Sequence, residues 1–415
     1  MENLNIKKII VYVIIILFIG ILGYFIFSSD EDTDVQPENT DTFFPIGEVG
    51  QVDLGKDFEE LRDDPDYINN SSSEAQIPIL RKISNEPVVG AVIFSPELKN
   101  KENIEDYYII RYIEKTTGYI YETSTNKLTL NRISNKIIPK LNKANWLDKD
   151  NLIFNYLDDD EIIKTYSGIL SSTATSTQVD LNGVYLQNDI QDIVYFDEKL
   201  FYLLNSGSNS SGILVNRENI EPKHIFYSPL KEWLISNIDD NLISFTTKTS
   251  KETVGYMFIF NNTSKTFNKV LDEKLNLSTL VNSDLDILYS FNSKLEPQLS
   301  FYNSEEKTTS TIPIFTFPEK CVWSKNNIDL YCGVPTQLIS MNSLDDWYKG
   351  NILFSDEIWK INTETNQTKK IISPSDLEEN GIDMIDLSIT DDGNYLTFIN
   401  KKDYTLWGLQ IISNY

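Results

Sequence analysis

The chain has 415 residues, a formal net charge of −26 and a sequence pI near 4.4. Phosphate backbones and anionic lipid headgroups would be repelled by so acidic a surface, which argues against nucleic acid as a partner. One histidine, His224, and two cysteines exclude most zinc sites and most histidine-based catalysis, and no cofactor is implied.

The chain opens with 1–8, a short segment carrying Lys7 and Lys8. Residues 9–27 follow, 19 positions without a charge. As a helix they would span roughly 28 Å, close to the hydrocarbon thickness of a bilayer. The lysines before and the acids after predict a single-pass anchor with 1–8 cytoplasmic and the rest outside. The rival is a cleaved signal peptide. The length of the run and the poor cleavage site Ile26-Phe27-Ser28 favour the retained anchor.

Residues 28–76 hold 15 acidic and 2 basic side chains, half the charge of the protein. Such a composition predicts a disordered acidic tether averaging about 40 Å end to end. Phe43 and Phe44 break the pattern, as a docking patch or as stray aromatics in a coil. The run "DEDTD" (30–34) lacks the glycine and glutamate of a calcium loop and reads as solvated charge.

From 77 onward short alternating strands recur, separated by Asp, Asn and Gly turns. The chain is rich in Tyr and Phe (22 and 21), which suit strands. The end of each second strand serves as a marker: Tyr112, Phe154, Tyr202, Phe245, Ser290, Cys332 and Phe398. The steps are 42, 48, 43, 45, 42 and 66 residues, the last lengthened by an insertion at 333–355. This period predicts an all-β domain over 77–415, a β-propeller of seven blades, within a range of six to eight. The last unit, "SITDDGNYLTFINKKDYTLWGLQ", offers three strands and then the chain stops. "PILRKISN" (78–85) resembles the fourth strands "KLTLNRIS" (127–134) and "QTKKIISP" (367–374). Residues 78–84 are therefore expected to complete the seventh blade.

The turn "SITDDGNYLTF" and the strands "EIWKINTETNQTKKIIS" resemble those of TolB-like and WD-repeat-like propellers. The Gly-His and Trp-Asp dipeptides of WD repeats are absent, since Gly408 follows Trp407. Anchor, tether and propeller together resemble uncharacterised membrane-anchored propeller proteins of ultra-small bacteria, a resemblance that implies no activity.

Catalytic sets do not converge in the sequence. Beyond the tether the arginines are Arg81, Arg111, Arg132 and Arg217, too few for a sialidase-type cluster, and no Gly-x-Ser-x-Gly occurs. "LDDDE" (157–161) reads as a solvated turn, with weak calcium binding as the alternative. "SSTATSTQVD" (171–180) reads as a mobile loop. A two-residue turn at Asn326 and Asn327 would set Cys321 opposite Cys332, at a hydrogen-bonded pair with Cα atoms about 5.5 Å apart. They form either a disulfide or two buried thiols. The insertion carries Leu338, Met341, Leu344, Trp347 and Tyr348. These five predict a partner-binding patch, or else a lid packed on the rim. The leading reading is a membrane-anchored, extracytoplasmic binding or scaffold module for a protein or cell-envelope partner. The alternative is a carbohydrate-active hydrolase with paired carboxylates.

Overall fold

The computed structural model describes residues 51–53, 77–96, 107–172, 179–196, 199–216, 222–294, 296–376 and 381–411. Residues 1–8, the predicted anchor 9–27 and most of the tether lie outside the described residues. Among the described residues no helix is long and apolar enough to cross a membrane.

The architecture is that of a β-propeller. Blade 1 runs from its inner strand Val88–Phe94 through Ile109–Glu114 and Ile120–Ser124 to Thr129–Arg132. Blades 2 and 3 repeat the antiparallel pattern from inner strands Leu141–Trp146 and Ile190–Phe196. A seven-stranded sheet then holds two blades. Its strand Thr266–Val281 ends blade 4 with its first half and opens blade 5 with its second. The changeover falls at Glu273 and Asn276, which both take positive φ, where the register breaks between Leu275 and Ser278. Blade 6 is Cys321–Trp323, Asp329–Pro335, Asp356–Asn362 and Gln367–Ile372. Blade 7 takes Met384–Ile389, Tyr395–Asn400 and Leu406–Gln410 from the end of the chain. Its fourth strand is Leu80–Lys82, paired Leu80 to Leu409, Arg81 to Gly408 and Lys82 to Trp407. This is the segment the sequence assigns to closure.

Seven apolar clusters each draw on two neighbouring blades, one cluster for every interface of a seven-membered ring. The closing one joins Ile83, Tyr395 and Leu406 of blade 7 to Val88, Ile110 and Tyr112 of blade 1. A blade alone would leave both faces wet; the ring buries them pairwise. All seven marker residues lie in second strands and are at most 2% exposed. Between blades 1 and 2 the backbones approach so closely that a Cβ on Gly90 would stand 2.0 Å from the Ala144 carbonyl oxygen.

The repeated turn signals have a common chemistry. Side-chain oxygens of Asp148, Asp239, Asn282 and Asn326 each accept hydrogen bonds from backbone N–H groups two to four residues ahead. These close the turn between first and second strands of blades 2, 4, 5 and 6. In blade 7 Thr390 and Asp392 do the same, with Gly393 at φ +72. Between third and fourth strands of blades 4, 5 and 6, Asn261, Asn303 and Asn362 each cap a turn whose fifth residue, Lys265, Lys307 or Asn366, is left-handed.

One departure concerns the tether. Gln51–Asp53 pairs antiparallel with Thr129–Asn131 as a fifth, outermost strand of blade 1. That edge offers unpaired N–H and C=O groups, and Val52 stands opposite Leu130. A low-charge stretch inside an acidic segment can take the place even though composition alone reads as coil.

Candidate functional site

The insertion between the second and third strands of blade 6 is a built structure. Its base is held by the Thr336 N–H donating to the Ser355 carbonyl at 2.9 Å. A short helix, Ser343–Tyr348, turns Leu344 and Trp347 inward onto Phe317 and Phe354. The segment then reaches across its neighbours. Asn292 of blade 5 donates to the Met341 carbonyl at 3.0 Å. The Lys251 N–H of blade 4 donates to Asp345 at 3.2 Å. The Tyr348 hydroxyl donates to Glu319, on the connection into blade 6. Lys401 of blade 7 donates to the Trp347 carbonyl at 2.6 Å and stands 3.9 Å over the Trp347 ring. Burial lowers the Lys401 pKa, against the pull of Asp383. The insertion is thus a roof anchored on blades 4 to 7.

The five residues predicted as a binding patch divide accordingly. Leu344 and Trp347 are core, 2% and 3% exposed, so they present nothing to a partner. An amphipathic turn buries its own aromatic, which composition cannot distinguish from display. Met341 is half-buried, Tyr348 is 40% exposed and Leu338 is 99% exposed.

Beneath the roof lies a group of charges that the sequence reading missed. Lys320 ends the short turn Pro318–Lys320, Asp356 opens a blade 6 strand, and Asp383 precedes the inner strand of blade 7. All three side chains are wholly buried. The Lys320 Nζ donates to Asp356 Oδ2 at 2.6 Å and to Asp383 Oδ1 at 2.5 Å. Asp383 also accepts from Trp347 Nε1 at 3.1 and 3.0 Å and from the Phe354 N–H at 3.0 Å. Asp356 Oδ2 accepts from the Met384 N–H at 2.7 Å, while its Oδ1 has no hydrogen-bond partner. Burial raises the Asp356 pKa; the attraction of Lys320 opposes the rise and the charge of Asp383 adds to it. In sequence each of these residues stands at a strand entrance, where a charge reads as solvated. The signal that was available is their apolar flanks, "TFPEKCVW" and "GIDMID".

Cys321 and Cys332 form a disulfide with Cα atoms 4.1 Å apart. They are directly opposed, as the sequence spacing has it, but the turn differs. Ser324 donates to the Asp329 carbonyl, so four residues, 325–328, make the bend. This moves the cysteines from a hydrogen-bonded pair to the closer non-hydrogen-bonded one. Replacing both by Ala is expected to lower stability by about 3 kcal/mol through loop entropy. Denaturant melts would read this as a lower midpoint at unchanged slope; an unmoved midpoint would show that the bridge restrains nothing.

Two other hollows are less suited to a ligand. A cleft of about 300 Å³ lies between blades 6 and 7, on the side of the first turns, lined by Lys325, Asp329, Tyr331, Lys360, Asp391 and Asp392 among others. Both its lysines are already paired, Lys325 to Asp391 at 2.7 Å and Lys360 to Asp329 at 3.0 Å, and Asp392 accepts from Thr390 and Asn394. A cavity of about 30 Å³ beside Lys143, Asn155 and Asp192 has room for one or two waters.

The remaining candidates are structural. His224 is exposed on the outer strand Lys223–Ser228. Arg81 donates to the Ser124 and Lys127 carbonyls, clipping blade 7 to blade 1. Arg111 holds Glu122 and reaches Asp150 of blade 2. Arg132 stacks 4.4 Å from the Tyr119 ring, and Arg217 lies outside the described residues. In 157–161, Asp158 accepts two backbone N–H groups and Asp159 pairs with Lys140 at 2.7 Å, as a solvated turn would. Of 171–180, residues 173–178 lie outside the described residues. Among the described residues no group of three or more His, Cys, Asp or Glu is arranged to hold a metal ion.

No family model and no curated protein matches the sequence. Solved structures do. Oligogalacturonate lyase from Vibrio parahaemolyticus is similar at a TM-score of 0.52 and 10% identity, over 81% of this chain and 94% of that one. An oligogalacturonate lyase in complex with manganese is similar at a TM-score of 0.52 and 9% identity, over 89% and 99%. TolB from Acinetobacter baumannii aligns at a TM-score of 0.40 and 9% identity, over 74% and 78%. At such identities, likeness to the two lyases establishes the fold and leaves the activity to be argued from the chain's own residues.

Proposed function

We propose that the chain is a membrane-anchored, extracytoplasmic propeller that binds or scaffolds a protein or cell-envelope partner through the outer side of its 333–355 roof. The observation that carries this reading is Leu338, 99% exposed on a segment that starts from blade 6 and is bonded further along to blades 4, 5 and 7. An apolar side chain displayed on a rigid support loses little entropy on binding. Two features support the location: the apolar run 9–27 with its lysines, and a disulfide that persists in oxidising compartments. The hydrolase reading needs two carboxyls facing an open gap. Asp356 and Asp383 do come together, but they share one ammonium and are sealed from solvent.

The test is a photo-crosslinking residue at Leu338 in the native cell, with Leu230, 46% exposed near blade 3, as the control site. One reproducible partner is expected from position 338 and not from 230. Equal labelling from both sites would reject the roof as the contact surface.

A further inference from the structure

The buried Lys320, Asp356 and Asp383 are arranged for more than ion pairing. We propose that they form an autocatalytic modification site, in which Lys320 Nζ condenses with the Asp356 carboxyl to give an intramolecular isopeptide bond, Asp383 acting as the proton acceptor.

The geometry assigns different parts to the two aspartates. Asp383 accepts from Lys320, from the Trp347 indole and from the Phe354 N–H, the set of donors that stabilises a carboxylate. Asp356 is the electrophile. Its Oδ2 is held by the Met384 N–H at 2.7 Å, a donor placed where negative charge would develop on attack. Its Oδ1 is buried without a partner, the position an unbonded hydroxyl of the neutral acid would occupy. Burial, the main influence on this group, favours that neutral acid. The nucleophile is already delivered: Nζ stands 2.6 Å from Asp356 Oδ2 with no exposure to water. The Trp347 and Phe354 rings, 4.9 and 5.4 Å from Nζ, complete a dry pocket, which favours condensation over hydrolysis.

The step balances. Asp383 takes one proton from the Lys320 ammonium, and the freed amine attacks the Asp356 carboxyl carbon, forming the C–N bond. The C–O bond to Oδ1 then breaks, and that hydroxyl leaves as water with the second proton of the nitrogen. The products are a secondary amide, one water and Asp383 as the acid; no oxidant, reductant or other reactant is needed. The bond would tie together residues 36 apart in sequence. It would staple the base of the roof beside the Cys321 to Cys332 bridge. Independently of any partner, it explains a fully buried ammonium beside two carboxyls.

The test is the intact mass of the full chain, denatured and with the disulfide reduced. The expected mass is about 18 Da below that of the sequence, one water lost. After proteolysis the peptide bearing Lys320 should be found joined to the peptide bearing Asp356. Lys320→Arg, which keeps the charge, and Asp383→Asn, which keeps both reacting groups, should restore the full mass. A wild-type chain of full mass, with Lys320 and Asp356 in separate peptides, overturns the proposal. A water-deficient mass retained in Asp383→Asn overturns the role given to Asp383.

Discussion

Deletion of residues 77–85 is expected to abolish the cooperative unfolding transition of the propeller, whereas deletion of 30–50 should leave it nearly unmoved. The segment supplies more than three paired strand residues. Leu80 and Ile83 are 8% and 2% exposed, and burial of each contributes roughly 1.5 to 3 kcal/mol. Arg81 is 7% exposed and bonds across to blade 1. Further bonds run from the Ile83 N–H to the Leu406 carbonyl, from the Gln410 N–H to the Ile79 carbonyl and from the Leu406 N–H to the Ser84 hydroxyl. Without the segment, the third strand of blade 7 becomes an open edge and the cluster joining blades 7 and 1 loses a wall. The combined loss is of the order of the whole stability of an ordinary domain, about 5 to 15 kcal/mol. Calorimetry on the two truncations separates the cases, and equal melting would show that closure does not hold the ring.

Lys320→Met carries the second large effect. It leaves Asp356 and Asp383 buried together with no cation between them, an arrangement that costs about 3 to 5 kcal/mol. The melting temperature should fall by roughly 4 to 7 °C for a domain of this size. Adding Asp356→Asn should return a good part of the loss, because it removes one of the two buried carboxyls left without a cation. The damage should also be local at first. Trp347, whose indole bonds Asp383, and the roof it anchors should gain exchange and protease sensitivity before the distant blades do. A Lys320→Met chain that melts with the parent would mean that the link from Lys320 to Asp356 and Asp383, ionic or covalent, contributes nothing to holding blades 6 and 7 together.

How far the sequence reaches can be followed residue by residue. The markers from Tyr112 to Phe398 are visible because a strand buried on both faces repeats its apolar residues and its turns at fixed intervals. The closing strand at 80–82 is visible because the last unit lacks one strand and "PILRKISN" has the composition of the others. Hydrogen-bond phase is harder: whether Ser324 or Lys325 begins the turn decides the geometry at Cys321, and both are ordinary turn residues. The tertiary fate of a side chain is harder still. Trp347 reads as display or as anchor until Asp383, 36 residues later, is known to sit under its indole. Lys320, Asp356 and Asp383 come from three strand entrances, and only the ring brings them into one pocket. Likewise Gln51–Asp53 finds its place by an open edge rather than by its own composition.

The central claim is that the two ends of the repeat region meet in one sheet. Hydrogen exchange followed by mass spectrometry on the intact chain tests it most directly, comparing peptides over 78–84 with those over 405–411. If the ring is closed as described, both exchange together, in the slowest class and at the rate of global opening. Exchange of 78–84 within seconds, while 405–411 stays protected, would contradict it.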